Sequence, residues 1–451
     1  MYLGDRHVIH LLAQFSLVQQ IMLLLTTAIT VMVGIYAVNW CILAVISVKS
    51  KTKLPQPPHI TEWPTVSIHL PIYNEKPVVS RLLESCIRLD YPQEKLEILV
   101  VDDSTDDTTG IVKSFSARFP NLVRVIRRQS RRGFKAGALQ EALNKSRGDF
   151  IAIFDADYVP PRDFLKRMIP HLYTDDQIAF AQARVGHLNS HSTWVTKAVS
   201  LAIDTFFLVE QRARFAANLL PHFLGTSGVF RREAIEKVGG WSADTLVEDL
   251  DLSVRLQLAG WKHLYIPDVV CSGEIPPTLS VFVGQQMRWA KGFSECFKKY
   301  WRTILYHKGL TLFQKVESLS QLACYFVFVL GVIGFFLAIP YYLVFPWSFL
   351  LYDYWKCSLA PVAIMAFIPI YAAPVLIYGL AIAELRKMEK ISLSRVFHLG
   401  YLGIVGYVVS WAGALAVIDG LIGRRSPFRR TPKFGLVDRY SRVRLHRSAT
   451  A

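Results

Sequence analysis

Phe150-Ile-Ala-Ile-Phe-Asp155-Ala-Asp157 is the stretch on which the reading of this chain turns. Five apolar residues in a row read as a buried strand, and the acidic pair follows at once. Working outward, the same arrangement recurs. Val66-Ser-Ile-His-Leu-Pro-Ile72 is followed by Tyr73-Asn74-Glu75, and Leu96-Glu-Ile-Leu-Val-Val101 by Asp102-Asp103-Ser104. Residues 122–126 and 178–185 read as further strands, and 78–89, 107–119 and 136–145 have helical spacing. Short apolar runs alternating with amphipathic stretches imply an α/β fold with a mostly parallel sheet. Ligands of such sheets bind outside the carboxyl ends of the strands. All three polar clusters fall at that edge, where chance would scatter them over both.

The residue types at that edge suggest specific chemistry. In an extended chain, Asp155 and Asp157 point to the same side. Two carboxylates so close repel unless a cation sits between them, and Mg²⁺ or Mn²⁺ would satisfy both while holding diphosphate oxygens. The plainer reading is a solvated turn before Pro160-Pro161; the strand ahead and the clusters alongside favour the metal. Asp102 or Asp103 can accept the N–H of a uracil or guanine, with Asp106 expected to cap the next helix. Arg131-Arg-Gly-Phe-Lys135-Ala-Gly137 places cations, Lys135 among them, at a helix start, where phosphate is attracted. Val247-Glu248-Asp249 precedes a helix over 250–258; a carboxylate there could take a proton from an attacking hydroxyl or simply cap the helix. Gln285-x-x-Arg288-Trp289 shares one helical face, so a guanidinium for diphosphate lies beside an indole for a sugar ring. Membrane anchoring is the competing use of that Arg and Trp.

The flanks are apolar. Residues 17–48, 319–345, 359–383 and 397–422 are each long enough to cross a bilayer and nearly free of charge. Of the 451 residues, 52% are hydrophobic and 19% charged, which suits a mixed soluble and membrane protein. The net charge of +16 calls for anionic partners, and because the basic residues cluster beside the apolar segments, membrane lipid is expected and nucleic acid is not. The six scattered cysteines include no Cys-x-x-Cys pair, which argues against a zinc site or disulfide framework. Lysines at 49, 51 and 53, and at 298, 299, 308 and 315, put both ends of the middle domain in the cytosol; the connector near Asp353 falls on the far side. A fully spanning 397–422 would then leave the basic tail outside, so a re-entrant or interfacial helix is expected there. An extra crossing broken at Pro340 and Pro346 is the other solution. The expected organisation is an N-terminal membrane helix (1–50), a catalytic domain (60–273), interfacial helices (274–315), membrane helices with a possible re-entrant segment (316–422) and a basic tail (423–451).

Taken together and in order, Asp102-Asp103, Asp155-x-Asp157, Glu248-Asp249 and Gln285-x-x-Arg288-Trp289 resemble the membrane-integrated family 2 glycosyltransferases, the cellulose-synthase-like group. Phe428-Arg-Arg430-Thr431-Pro-Lys433 is similar to that family's gating loop, with Arg430 where the family has Val. Residues 131–139 and 225–231 look like the plant mannan and glucomannan synthase versions, and the resemblance covers roughly 60–435. It implies a GT-A Rossmann-like domain, with Asp103 on the nucleoside and Asp155 and Asp157 on diphosphate and metal. Asp249 would be the general base; Gln285, Arg288 and Trp289 would bind diphosphate and shape the acceptor site; Thr431 and Lys433 would close over the donor. Two departures stand out: Val247 replaces a Thr of cellulose synthases, and the chain ends soon after the gating-like motif. The expected function is a multi-pass cell-membrane hexosyltransferase, cytosolic in its catalytic domain, inverting, and building a β-linked polysaccharide from UDP-glucose. GDP-mannose as donor, a single transfer to diacylglycerol or polyprenyl phosphate, and a silent membrane subunit are the alternatives.

Overall fold

A computed structural model describes residues 16–50, 54–344, 360–389, 393–424 and 430–438. Lys51, Lys53, Pro346, Asp353 and Phe428, which entered the readings above, lie outside them.

The five expected strands are present within a residue or two: β1 (Val66–Ile72), β2 (Leu96–Asp102), β3 (Val123–Ile126), β4 (Phe150–Ile153) and β5 (Ile178–His187). Two further strands, β6 (Gly228–Arg231) and β7 (Lys262–Gly273), complete a seven-stranded sheet of order β3-β2-β1-β4-β6-β5-β7. β6 runs antiparallel to both β4 and β5, and every other pairing is parallel. Neither addition shows in the apolar pattern, for physical reasons. β6 has only four residues, and β7 carries Pro267-Asp268 opposite a register shift at Ala183/Arg184. The chain moves outward from β1 in one direction to β2 and β3 and in the other to β4, so a crevice opens between the carboxyl ends of β1 and β4.

Helices cover both faces, which is why β1 and β2 are buried almost throughout. On one face α2 (Val79–Ile87), α3 (Thr108–Arg118) and α5 (Phe164–Leu172) pack Leu82, Leu83, Val112, Phe115, Leu165 and Ile169 against the sheet. On the other, α4 (Phe134–Lys145), α8 (Arg232–Lys237) and α9 (Glu248–Leu258) contribute Leu139, Leu143, Ile235, Leu252 and Leu256. Between them in sequence, α6 (Trp194–Thr205) and α7 (Arg212–Ala216) are joined by a π-helical turn over Phe206–Gln211. The N-cap of α3 is Asp107 rather than Asp106, although the Asp106 carboxylate does accept the Thr108 N–H at 3.0 Å.

The apolar flanks form helices α1 (Leu17–Lys49), α11 (Leu312–Leu322), α12 (Phe326–Val344), α13 (Ala360–Glu389) and α14 (His398–Ile422). α1 starts on a capping box between Ser16 and Gln19 and packs on α13 so closely that a Cβ at Gly34 would lie 2.8 Å from that of Ala366. Among the described residues three helices are long and apolar enough to cross a membrane: Leu17–Lys49, Met365–Met388 and Ser394–Ile422. One expectation needs correction. Residues 319–345 are not one straight span, because α11 and α12 meet at a 63° bend. Where a re-entrant or interfacial helix is expected over 397–422, His398–Ile422 form one continuous helix whose 25 residues reach about 38 Å.

Buried charge ties the sheet domain to these helices. Arg214 bonds Glu317 at 2.5 Å and Gln321 at 2.7 Å on α11, and Asn39 of α1 reaches Glu317 at 3.3 Å. Asp204 of α6 accepts from Arg395 at 3.0 Å and faces His187 at 2.8 Å.

Candidate functional site

The edge of the sheet brings the expected residues together through a set of basic side chains. Asp102, the last residue of β2, has no exposed surface. Its carboxylate takes the Ser104 N–H at 2.9 Å and Arg127 at 2.7 Å. Burial opposes its ionisation, but the bonds from Ser104, Thr109 and Arg127 outweigh that and hold the carboxyl below its usual range. Asp102 therefore braces the loop and does not present an acceptor to the crevice, which corrects its reading as a nucleoside contact. Asp103 receives a two-pronged pair from Arg128, whose Nε lies 3.0 Å from Oδ1 while Nη2 meets Oδ2. Arg128 also donates to the carbonyls of Arg132 and Phe134, both at 2.9 Å, so it fixes the start of α4. Gly133 adopts a positive φ of 72° to make that turn. Arg131 stacks 3.3 Å over the ring of Tyr73.

Lys135, one residue into α4, is the hub of the second group. Its Nζ lies 2.8 Å from Asp155 Oδ1, 3.5 Å from Glu248 Oε1 and 2.9 Å from the carbonyl of Gly225. Burial works against its charge, but Asp155, Glu248 and Asp249 reverse the balance and raise its pKa. Gly225 has φ +74°, and a Cβ there would sit 2.7 Å from Asp249 Oδ2 and 2.8 Å from Lys135 Nζ, so only glycine lets the two approach. The loop is stitched by buried Gln182, which bonds the carbonyls of Thr226 and Ser227, and Thr226 Oγ1 accepts the Asp155 N–H at 3.0 Å. Asp249 is the second residue of α9, with Oδ1 taking the Leu250 N–H at 2.8 Å. Burial, then repulsion from Glu248, push its pKa up to about 7 against the pull of Lys135 and Arg288. Arg288 and Gln285, on α10 (Leu279–Tyr306), are half-buried on the same side, while Trp289 packs among Leu220, Val247 and Phe293. A cleft of about 440 Å³ opens beside Lys135, lined by Gly133, Phe134, Asp244, Thr245, Glu248 and Glu295.

The third group comes from far along the chain. Segment 430–438 lies across the edge. Lys433 Nζ is 2.8 Å from Asp157 Oδ2, Arg430 is 2.7 Å from Glu75, and Thr431 is buried. Glu274, just past β7, accepts the N–H groups of Phe434 and Gly435 at 2.8 and 2.9 Å, and its own N–H donates to Asp157 Oδ2 at 3.1 Å. Glu274 escapes a sequence reading because β7 does; with that strand in place, an acidic residue at its carboxyl end is what the edge rule would have picked out.

Asp155 and Asp157 are in a turn rather than an extended strand, with the Tyr158 N–H bonded to the Asp155 carbonyl at 3.1 Å. They consequently diverge toward different lysines. Among the described residues no cluster of three or more His, Cys, Asp or Glu is arranged to hold a metal by itself. The pair nevertheless fits a cation whose remaining ligands come from a substrate. Asp157 Oδ1 is buried with no hydrogen-bond partner among the described residues, and a third of the Asp155 side chain is open to solvent.

Known proteins are similar to the chain in sequence and in fold. A glucomannan 4-beta-mannosyltransferase 9 of Arabidopsis thaliana is 36% identical over 262 residues, covering 56% of this chain and 49% of that protein. Glucomannan 4-beta-mannosyltransferase 1 of Oryza sativa subsp. japonica is 35% identical over 263 residues, covering 56% of this chain and 50% of the relative. The chain thus spans about half the length of the curated relatives it matches. In fold it is similar to a mannosyltransferase from Pyrobaculum calidifontis solved in complex with GDP-Man and Mn²⁺, with TM-score 0.53, 22% identity, and coverage of 91% of this chain and 100% of that one. The sheet is accordingly of the GT-A type. A family model described as glycosyltransferase like family 2 matches residues 64–292, the segment that holds Asp103, Asp155, Asp157, Glu248 and Asp249, and the chain belongs to that family.

Proposed function

We propose that the chain is a metal-dependent, inverting glycosyltransferase that moves a hexose from a nucleotide diphosphate onto a glycan at the membrane surface, building a β-linked polysaccharide. The observation that carries this reading is the Lys135 hub. It gathers Asp155 and Glu248 within salt-bridge distance, beside an Asp249 whose proton affinity is tuned near neutrality. GDP-mannose replaces UDP-glucose as the first choice of donor, because the relatives are named as mannosyltransferases over about half their length. Mg²⁺ or Mn²⁺ held by Asp155 and Asp157 would supply positive charge to the diphosphate.

The protein's own groups then divide the work. Asp103, held by Arg128, accepts from the nucleobase. Lys135 orients the sugar end beside Asp155. Asp249 removes the proton of the acceptor hydroxyl as that oxygen bonds the anomeric carbon. The bond to the diphosphate breaks with its electron pair, and Arg288 and Lys433 stabilise the departing charge. Gln285 and Trp289 shape the acceptor side, and Thr431 closes over the donor with Lys433. The catalytic domain and the tail are placed in the cytosol of a multi-pass cell-membrane protein, because the tail lies on the sheet edge and the lysines flanking the domain satisfy the positive-inside rule. A screen of nucleotide sugars against protein purified in detergent, reading released GDP or UDP, tests the donor. Product length by gel filtration separates polymer from a single transfer to lipid. Release of neither nucleotide above background with any donor sinks the proposal.

A further inference from the structure

We propose that Glu274 is a positioning residue that docks the tail and thereby brings Lys433 to Asp157. The inference rests on the functional reading above and goes beyond the motif residues, among which Glu274 does not appear. Its geometry is specific. Both carboxylate oxygens are spent on successive backbone N–H groups, those of Phe434 and Gly435, at 2.8 and 2.9 Å. Successive N–H groups on one carboxylate fix the path of a chain as well as its position. The backbone N–H of Glu274 meanwhile donates at 3.1 Å to Asp157 Oδ2, the oxygen that Lys433 contacts at 2.8 Å. One residue thus holds both parties to the Lys433–Asp157 contact.

The surroundings fit a dock built for this segment. Gly435 has φ +70°, and a Cβ there would lie 2.9 Å from the carbonyl of Pro77, so the tail passes β1's loop where only glycine fits. Beyond it the Asp438 N–H bonds the Leu188 carbonyl at 2.8 Å, and the Asp438 carboxylate takes the His191 N–H at 3.1 Å. Glu274 is itself seated by Asn189, which exchanges two 2.8 Å bonds with the next residue, Ile275. Arg430 adds an ion pair to Glu75 at the other end, but that contact holds a tail side chain, whereas Glu274 holds the tail's backbone.

The test uses the full-length protein in detergent. Limited trypsinolysis after Lys433 reads docking without reference to activity. Glu274→Gln should speed that cleavage on the order of tenfold, because the local opening that exposes the bond becomes more populated. Gly435→Ala, which disturbs the same contact from the tail side and leaves the sheet domain untouched, should do the same; it also serves if Glu274→Gln fails to fold. In transfer assays Glu274→Gln should lower kcat/KM by about ten- to a hundredfold, as a misplaced charge does. That loss should vanish in a Lys433→Ala background, since the effect runs through Lys433. Wild-type cleavage rates in both variants, or losses that multiply in the double variant, overturn the assignment. If the wild-type protein transfers no sugar at all, the functional reading fails, and the trypsin rates still decide whether Glu274 holds the tail.

Discussion

The two ends of the site treat their carboxylates in opposite ways. At the β2 end, Asp102 and Asp103 each have an arginine of their own, Arg127 and Arg128, supplied by the loop after β3. At the α9 end, Glu248 and Asp249 share one lysine with Asp155, and burial leaves Asp249 with a pKa near 7. The first arrangement ties each carboxylate to its own guanidinium, and for Asp102 the surrounding bonds hold the carboxyl below its usual range. The second makes a group poised to take up a proton and give it back. Environments that push neighbouring carboxylates apart in this way separate binding from proton transfer.

The sharpest way to break the comparison is at Asp249. Asp249→Asn should cut the transfer rate by roughly 10²- to 10⁴-fold, the usual worth of a general base, while donor affinity measured by calorimetry stays within about twofold. Loss of donor binding in that variant would move Asp249 to the binding group. Next in size is chelation. EDTA should lower transfer on the order of a hundredfold, with recovery on adding Mn²⁺ or Mg²⁺, and an undiminished rate in chelator would remove the role given to Asp155 and Asp157.

The pH profile comes third. Below about pH 7 the rate should fall close to tenfold per unit as Asp249 takes up its proton. The sign for stability is the reverse. A carboxyl whose folded pKa is raised binds more protons folded than unfolded, so folding stability declines as pH climbs from the ordinary aspartate range to about 7. Asp249→Asn should therefore raise the Tm relative to wild type more at pH 8 than at pH 5; an equal offset at both would deny the raised pKa. The smallest effect belongs to the other end. Asp103→Ala should raise the donor KM about tenfold through one lost charged hydrogen bond, with kcat little changed. Arg128→Ala, which leaves Asp103 buried and unpaired, should lower the Tm more than Asp103→Ala does.

What the sequence made legible followed from periodicity and position. The strands β1 to β5, and the acidic turns behind β1, β2 and β4, could be read because an apolar run ending in carboxylates is a local pattern. β6 and β7 could not, since one is four residues long and the other is interrupted by Pro267 and Asp268. With β7 went Glu274. The pairing of Asp157 with Lys433 was equally hidden, because nothing local joins residues 276 positions apart. Asp102 was misjudged for a related reason: adjacent aspartates look equivalent in a sequence, and only the loop shows that one of them is turned inward.

One consequence of the lysine and arginine arms concerns salt. Against Glu75, Asp155, Asp157, Glu248 and Asp249 the fold sets Lys135, Arg288, Arg430 and Lys433, so the opposing charges nearly cancel inside the chain. A nucleotide diphosphate sugar travelling with a divalent ion is close to electrically neutral. A balanced receptacle meeting a balanced guest has little long-range attraction to screen. The strongly basic character of the whole molecule would then govern its hold on the lipid surface, leaving substrate capture almost indifferent to ionic strength.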